Sequence, residues 1–291
     1  MRRFRIPVGR VLGIRLWLHA SWFLVAGLAV WATAGAFREA FPGLSLTERV
    51  LMGVVTAACF FACLVTHELA HAVVARRFGV RVHGITLFML GGVAEIEGEL
   101  PTPAKEFAVA LVGPATSLTL GAVFALAWRT ASAVGWTGVE GVTFAVAAVN
   151  LGVAVFNLVP GLPLDGGRLL RAELWRRWGN FEAATRTASA AGRIVAVLLA
   201  VIGLGAAASG DIAGLWYVPM GGFIFLMARS AGHAPAPGTG GALAWPDESA
   251  VRARGEGHVR GSTWPDVPGE APGEGHLPHP QWDPRARRGS G

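Results

Sequence analysis

The sequence predicts an all-α polytopic membrane protein of about six transmembrane helices with a small membrane-associated β-hairpin or sheet, and three observations carry that prediction. Hydrophobic residues make up 53% of the 291 positions and charged residues only 15%, against about 25% charged in an average soluble chain. Apolar runs able to cross about 30 Å of hydrocarbon recur along the chain, separated by short segments that hold most of the arginines. Residues 50–65 carry no charge, and just after them stands His67-Glu68-Leu69-Ala70-His71. Three ionisable groups in so apolar a setting are costly and normally functional.

In chain order, residues 1–16 contain Arg2, Arg3, Arg5, Arg10 and Arg15 and read as a basic segment that stays in the cytoplasm. No cleavable signal is expected there, because the first apolar run lacks a clean small-x-small exit. Residues 17–37 form the first crossing. After the Phe41-Pro42-Gly43 turn, Ser45 and Glu48 are spaced as a capping box that opens a second helix running to about Phe78. If Arg76 and Arg77 mark the inner interface, His67 lies about 14 Å from them along the helix, submerged but nearer the cytoplasm. Residues 80–100 are too short and β-rich to span. They predict a hairpin or re-entrant sheet with its turn at Gly91-Gly92, followed by alternation through Val93, Ala94, Glu95, Ile96 and Glu97. Its edge could pair with an extended peptide, although the pattern fits an amphipathic surface loop equally well.

Residues 104–128 are expected to cross outward and 139–158 to cross back, the latter carrying Asn150 and Asn157. That span breaks at Pro160-Gly161-Leu162-Pro163-Leu164-Asp165-Gly166-Gly167. Broken backbone at membrane depth is tolerated only where protein or a watery cavity satisfies it, so Asp165 is either a functional carboxylate on the same side as the histidines or a turn-capping Asp. A basic segment from Arg168 to Arg193 containing an amphipathic helix follows, then two shorter crossings at 194–208 and 215–227. The outer loops hold only Arg38, Arg49 and Arg129, which predicts that both termini are cytoplasmic. From Ala231 onward Gly, Pro and charged residues dominate. The organisation expected is therefore a membrane domain over 1–230 and a disordered cytoplasmic tail over 231–291. The net charge of +6 is dispersed between apolar runs, a topological pattern and not a nucleic-acid-binding one.

His67 and His71 are four apart, so a helix projects both imidazoles from one face, where they can grip a single Zn²⁺, with Glu68 about 100° round beside the metal. Cys59 and Cys63 continue that side. At 1.5 Å per residue, however, Cys59 lies about 18 Å from His71, too far to share an ion. A catalytic zinc takes three protein ligands and keeps one open position. Asp165 is the favoured third ligand, with Glu95, Glu97, His83 and His19 as alternatives. Zinc would acidify a water and polarise a carbonyl while Glu68 moves the proton, so the reaction expected is peptide-bond hydrolysis. A helical substrate would have to unwind first, and Asn157 could hydrogen-bond its freed backbone. A membrane di-iron oxygenase would need more ligands than His19, His67, His71 and His83 provide outside the tail. A non-proteolytic zinc-binding scaffold or transporter would leave Glu68 without a task.

Taken together, His67-Glu68-Leu69-Ala70-His71, the Gly91-Gly92-Val93-Ala94 element and the run from Asn157 through Pro160, Pro163 and Asp165 to Arg168 resemble, in order and spacing, the motifs of the site-2 protease family of intramembrane zinc metalloproteases. The start, from Gly9 to Phe23, is similar to the prokaryotic six-span branch. The resemblance covers about residues 5–230. It implies one zinc per chain held by His67, His71 and Asp165, with Glu68 as catalytic base. It also implies that Asn157 and the Gly91-Gly92-Val93 element contact a membrane-protein substrate, expected to be a single-span regulator or remnant signal peptide in the bilayer of the cell membrane. Many members of that branch carry CBS domains and others a PDZ domain; neither is expected here.

The arginine distribution yields a labelling test in intact cells. Cysteine placed at Arg177 should be shielded from an impermeant thiol reagent added outside, and cysteine at Arg129 should label; labelling at Arg177 would invert the topology.

Overall fold

The computed structural model describes residues 5–88, 91–96 and 99–232, and its centre is a single long helix. Helix α2 (Leu46–Arg77) is 32 residues long, about 48 Å at 1.5 Å per residue and thus longer than a bilayer core. Its start is fixed as expected: the Ser45 hydroxyl accepts from the Glu48 N–H at 3.3 Å and the Glu48 carboxylate accepts from the Ser45 N–H at 2.8 Å. Gly79, at φ +83°, turns the chain away after Arg77 in a left-handed conformation that a side chain would resist.

Around α2 stand α1 (Ser21–Ala40), α3 (Pro103–Val134) and α4 (Thr137–Asn157), each packed against it. Short α5 (Asp165–Trp178) lies against α3 and leads into α6 (Phe181–Ala208), which pairs with a 3₁₀ turn (Ile212–Trp216) and α7 (Tyr217–Ala231). Among the described residues, six helical segments, 21–40, 46–77, 103–134, 137–157, 181–208 and 212–231, are long and apolar enough to cross a membrane. Their side chains are distributed as lipid solvation demands. On α6, Ala184, Ala188, Ser189, Gly192 and Ala196 are buried, whereas Ile194, Val197, Leu198, Val201 and Ile202 face outward. Small residues let helix backbones approach, and lipid solvates the large apolar ones.

A four-stranded sheet, order β1-β2-β3-β4, covers one end of α2. Strands β1 (Arg5–Val11) and β2 (Ile14–His19) form an antiparallel hairpin, β2 runs parallel to β3 (Val82–Phe88), and β3 is antiparallel to β4 (Gly91–Ile96). Ile14, Leu16, Ile85 and Leu87 bury one face of the sheet on Ala72 of α2. The Arg76 guanidinium donates to the Leu12 carbonyl at 2.7 Å and ties the β1–β2 turn to the helix end.

Three expectations are corrected. The first crossing starts at Ser21 instead of 17, because residues 14–19 are strand: Ile14 and Leu16 alternate with exposed Arg15 at the two-residue period of a half-buried strand. Gly91 and Gly92 are not the turn between β3 and β4: they open β4, opposite Phe88 and Leu87. The helix expected from 194 begins at Phe181, capped by the Asn180 side chain, which accepts from the Ala183 N–H at 2.9 Å. Residues 233–291, which hold almost all of the expected tail, and Glu97 lie outside the described residues.

The break after α4 is satisfied by protein. Leu162 N–H donates to the Ala188 carbonyl of α6 at 3.1 Å, and backbone meets backbone with no room for side chains. A methyl group on Gly192 would come within 1.9 Å of Leu162 O, and one on Gly166 or Gly167 within 2.3 Å of 158–162 backbone atoms. Asp165 therefore occupies the first helical position of α5, and the two glycines after it allow α5 to seat against the break.

Gly192→Ala should accordingly destabilise the protein despite alanine's better helix propensity. Overpacking costs about 1–3 kcal/mol, to be read as a lowered unfolding midpoint of the detergent-solubilised protein by circular dichroism.

Candidate metal centre

The centre is built from two elements and supported by a third. His67 and His71 stand one turn apart on α2, and Asp165 reaches them from the start of α5. All three are buried, at 2%, 5% and 9% exposed, and among the described residues they are the one cluster of three able to hold a metal ion. The His67 and His71 Nε2 atoms are 3.2 Å apart, and Asp165 Oδ2 lies 3.3 Å from the first and 3.1 Å from the second.

Hydrogen bonding on the far side of each ring shows what those distances mean. His71 Nδ1 lies 2.6 Å from the Val109 carbonyl of α3. A carbonyl can only accept, so Nδ1 carries the proton, and a neutral His71 turns a lone pair toward Asp165. His67 Nδ1 lies 2.9 Å from the Ser117 hydroxyl, also on α3, which anchors that ring and can donate to it or accept from it. His71 Nε2 and Asp165 Oδ2 thus face each other at 3.1 Å in a buried space beside His67 Nε2, an arrangement that needs a proton or a cation among them. Tetrahedral zinc with bonds of about 2.0–2.1 Å to His and carboxylate ligands sets neighbouring donors about 3.3 Å apart. The three separations here match that edge length, and the outer-ring bonds to a carbonyl and a hydroxyl are those that orient metal-ligating histidines.

Glu68 follows His67 on α2 and lies against β4: a methyl group on Gly92 would meet Glu68 Cγ at 2.5 Å and Oε1 at 3.0 Å. Gly92 thus lets a sheet strand run directly past the glutamate. Asn157, the last residue of α4, is half-buried. Val93 pairs with Thr86 in the ladder. The alternatives for the third ligand stand elsewhere: His19 sits in β2, 2.8 Å from Ser21 Oγ, and His83 is an exposed residue of β3. Glu97 and the side chain of Glu95 are outside the described residues.

Sequence reasoning missed the contribution of α3. Val109 and Ser117 anchor the two rings. Between them, a methyl group on Gly113 would sit 2.1 Å from His71 Nε2 and 2.7 Å from His67 Nε2. The available signal was a glycine and a serine four apart on one face of an apolar helix, in Gly113-Pro114-Ala115-Thr116-Ser117.

Fold and site together define a class: a multi-pass helical membrane protein with an H-E-x-x-H metal centre sunk among its spans. The chain belongs to peptidase family M50, whose profile matches residues 55–134 and 129–202. It is 44% identical over 229 residues to the zinc metalloprotease Rip3 of Mycobacterium tuberculosis, covering 78% of this chain and 58% of that protein. It is 38% identical over 234 residues to the zinc metalloprotease sll0528 of Synechocystis, covering 78% and 59%. The chain thus spans about six tenths of the length of these curated relatives. Its fold is shared with the site-2 protease from Methanocaldococcus jannaschii, at a TM-score of 0.54 and 22% identity over 80% of this chain and 97% of that one.

Gly113→Ala should abolish metal binding while sparing the helices, because the added methyl enters the space of both Nε2 atoms. Ser117→Ala should weaken metal affinity about 10–100-fold, the usual effect of removing an outer partner of a ligating histidine. Metal content after mild chelation, compared with far-ultraviolet circular dichroism of the same samples, checks both.

Proposed function

We propose that the chain is an intramembrane zinc metalloprotease that hydrolyses peptide bonds within or near the transmembrane segments of membrane-protein substrates. The observation that carries this reading is the convergence of His67 and His71, on the membrane-crossing helix α2 that also carries Glu68, with Asp165 of α5, in a chain of a peptidase family. His67, His71 and Asp165 would hold one zinc ion, which supplies Lewis acidity toward a water and a peptide carbonyl. Glu68 accepts the proton of the attacking water on its carboxylate and passes it to the departing amine nitrogen. A scaffold or transporter would need the three ligands but not a glutamate held beside them.

Access for substrate follows from the sheet. Strand β4 lies at one end of the order β1-β2-β3-β4, and Gly92 brings it against Glu68. A substrate segment that leaves its helix exposes N–H and C=O groups, and pairing along the Gly91-Gly92-Val93 edge would satisfy them. Asn157 offers an amide to the same unwound stretch. On the arginine distribution the site opens toward the cytoplasm, both termini lie there, and a single-span protein is the substrate expected. Residues 1–230 form the protease unit, and the tail is dispensable for cleavage.

Glu68→Gln should retain stoichiometric zinc and lose about 10²–10⁴-fold in turnover, the usual contribution of general acid–base catalysis. Asp165→Ala should lose zinc affinity and activity together. The measurements are zinc content and cleavage of a single-span substrate in detergent; a Glu68→Gln protein that sheds its metal while Asp165→Ala keeps it would reverse the assignment.

A further inference from the structure

A metal site drawn from two helices is only as well formed as the joint between them. His67 and His71 share α2, so one turn of helix fixes their spacing, but Asp165 stands 94 residues beyond His71. It also follows directly on the irregular chain of 158–164. What holds it in reach is the seating of α5.

Six residues along α5, Arg171 supplies that seating. Its side chain is buried, at 6% exposed, and donates from Nε to Glu106 Oε1 of α3 at 2.7 Å, while its Nη2 contacts the same oxygen. Nη2 also lies 3.3 Å from Glu99 Oε2, in the segment that leads into α3. The guanidinium carbon stands 4.8 Å from the ring centre of Phe181, the first residue of α6. One arginine therefore joins α5 to α3 and to α6. Glu106 is 1% exposed, and among the described residues its Oε2 has no partner. A buried ion pair is weak support for stability in itself, because desolvation opposes the attraction, and its best-attested use is to fix registry.

Registry is what this position requires. Glu106, Val109, Gly113 and Ser117 are all buried or half-lining the same face of α3, spaced three, four and four apart. Val109 orients His71, Ser117 orients His67, Gly113 makes room for both, and Glu106 holds α5 through Arg171. We propose that Glu106 and Arg171 are positioning residues for Asp165, so that one face of α3 serves as the template for all three ligands. The inference rests on the metal-centre reading above and adds to it a residue pair that touches neither ion nor substrate. Glu106 and Arg171 act through the placement of α5, with no direct part in the chemistry.

The test is a double-mutant cycle on Zn²⁺ affinity, using the full chain in detergent and competition with a chromophoric chelator. Arg171→Lys keeps the charge but loses the planar fork, and it should weaken Zn²⁺ binding about 10–100-fold. In an Asp165→Ala background, whose residual two-histidine affinity is read with a weaker indicator, the same substitution should change affinity by less than about twofold, because the ligand it positions is gone. Equal loss in both backgrounds, or no loss in the first, would overturn the proposal. Glu106→Gln is carried through the same cycle as an independent variant, and loss of helical structure in both variants would also overturn it, marking the pair as a general folding element. A parent protein that binds no Zn²⁺ would instead remove the metal-centre reading on which this one rests.

Discussion

Two imidazoles and a carboxylate turned toward one another in a buried space are the constraint on which the rest of this molecule depends. A bound cation or a proton relieves such a cluster, and the helices that carry it must fix its spacing. Helix α2 supplies the two imidazoles, α5 the carboxylate, and α3 the partners that turn each ring. The remaining spans read as consequences: α4 closes the other side of α2 and α3, while α6 backs the break from which α5 starts and α7 packs on α6.

Space at that junction is made by absent side chains. Gly113 clears the metal position, Gly92 brings a strand past Glu68, and Gly166, Gly167 and Gly192 let the broken segment nest on α6. In water such contacts would be driven by apolar area, but between lipid-solvated helices close backbone approach has to do the work. That is why the protein buries its small residues and turns its large aliphatic ones outward on α6. It also explains why an irregular stretch can persist at membrane depth: each backbone N–H there donates to a backbone carbonyl, that of Leu162 to Ala188 of α6.

How much of this was legible in the chain depended on the range of the interaction. The H-E-x-x-H spacing is local, so helix geometry alone sets His67 and His71 on one face with Glu68 beside them. Ser45 and Glu48 announced the start of α2 for the same reason. Asp165 could be favoured but not chosen from the residues themselves, since nothing local distinguishes it from Glu95 or His83; what brings it to the histidines is a contact across 98 residues. The pairing of β2 with β3 was hidden because the apolar run after residue 16 masks a two-residue alternation only a few residues long. The role of α3 was hidden more deeply. Val109 contributes a backbone carbonyl, which no side chain signals, and Gly113 contributes only vacancy.

The parallel pairing of β2 with β3 has a consequence for biosynthesis. Two whole helices separate these strands in the chain, so Leu16 cannot find Ile85 until α1 and α2 have both left the ribosome and turned back on each other. The carboxylate arrives later still. At about 5–20 residues per second of synthesis, the 98 residues between His67 and Asp165 take roughly 5–20 s to emerge. Through that interval the nascent chain displays its histidines without their third partner. A site assembled in this order lacks its carboxylate until α5 docks.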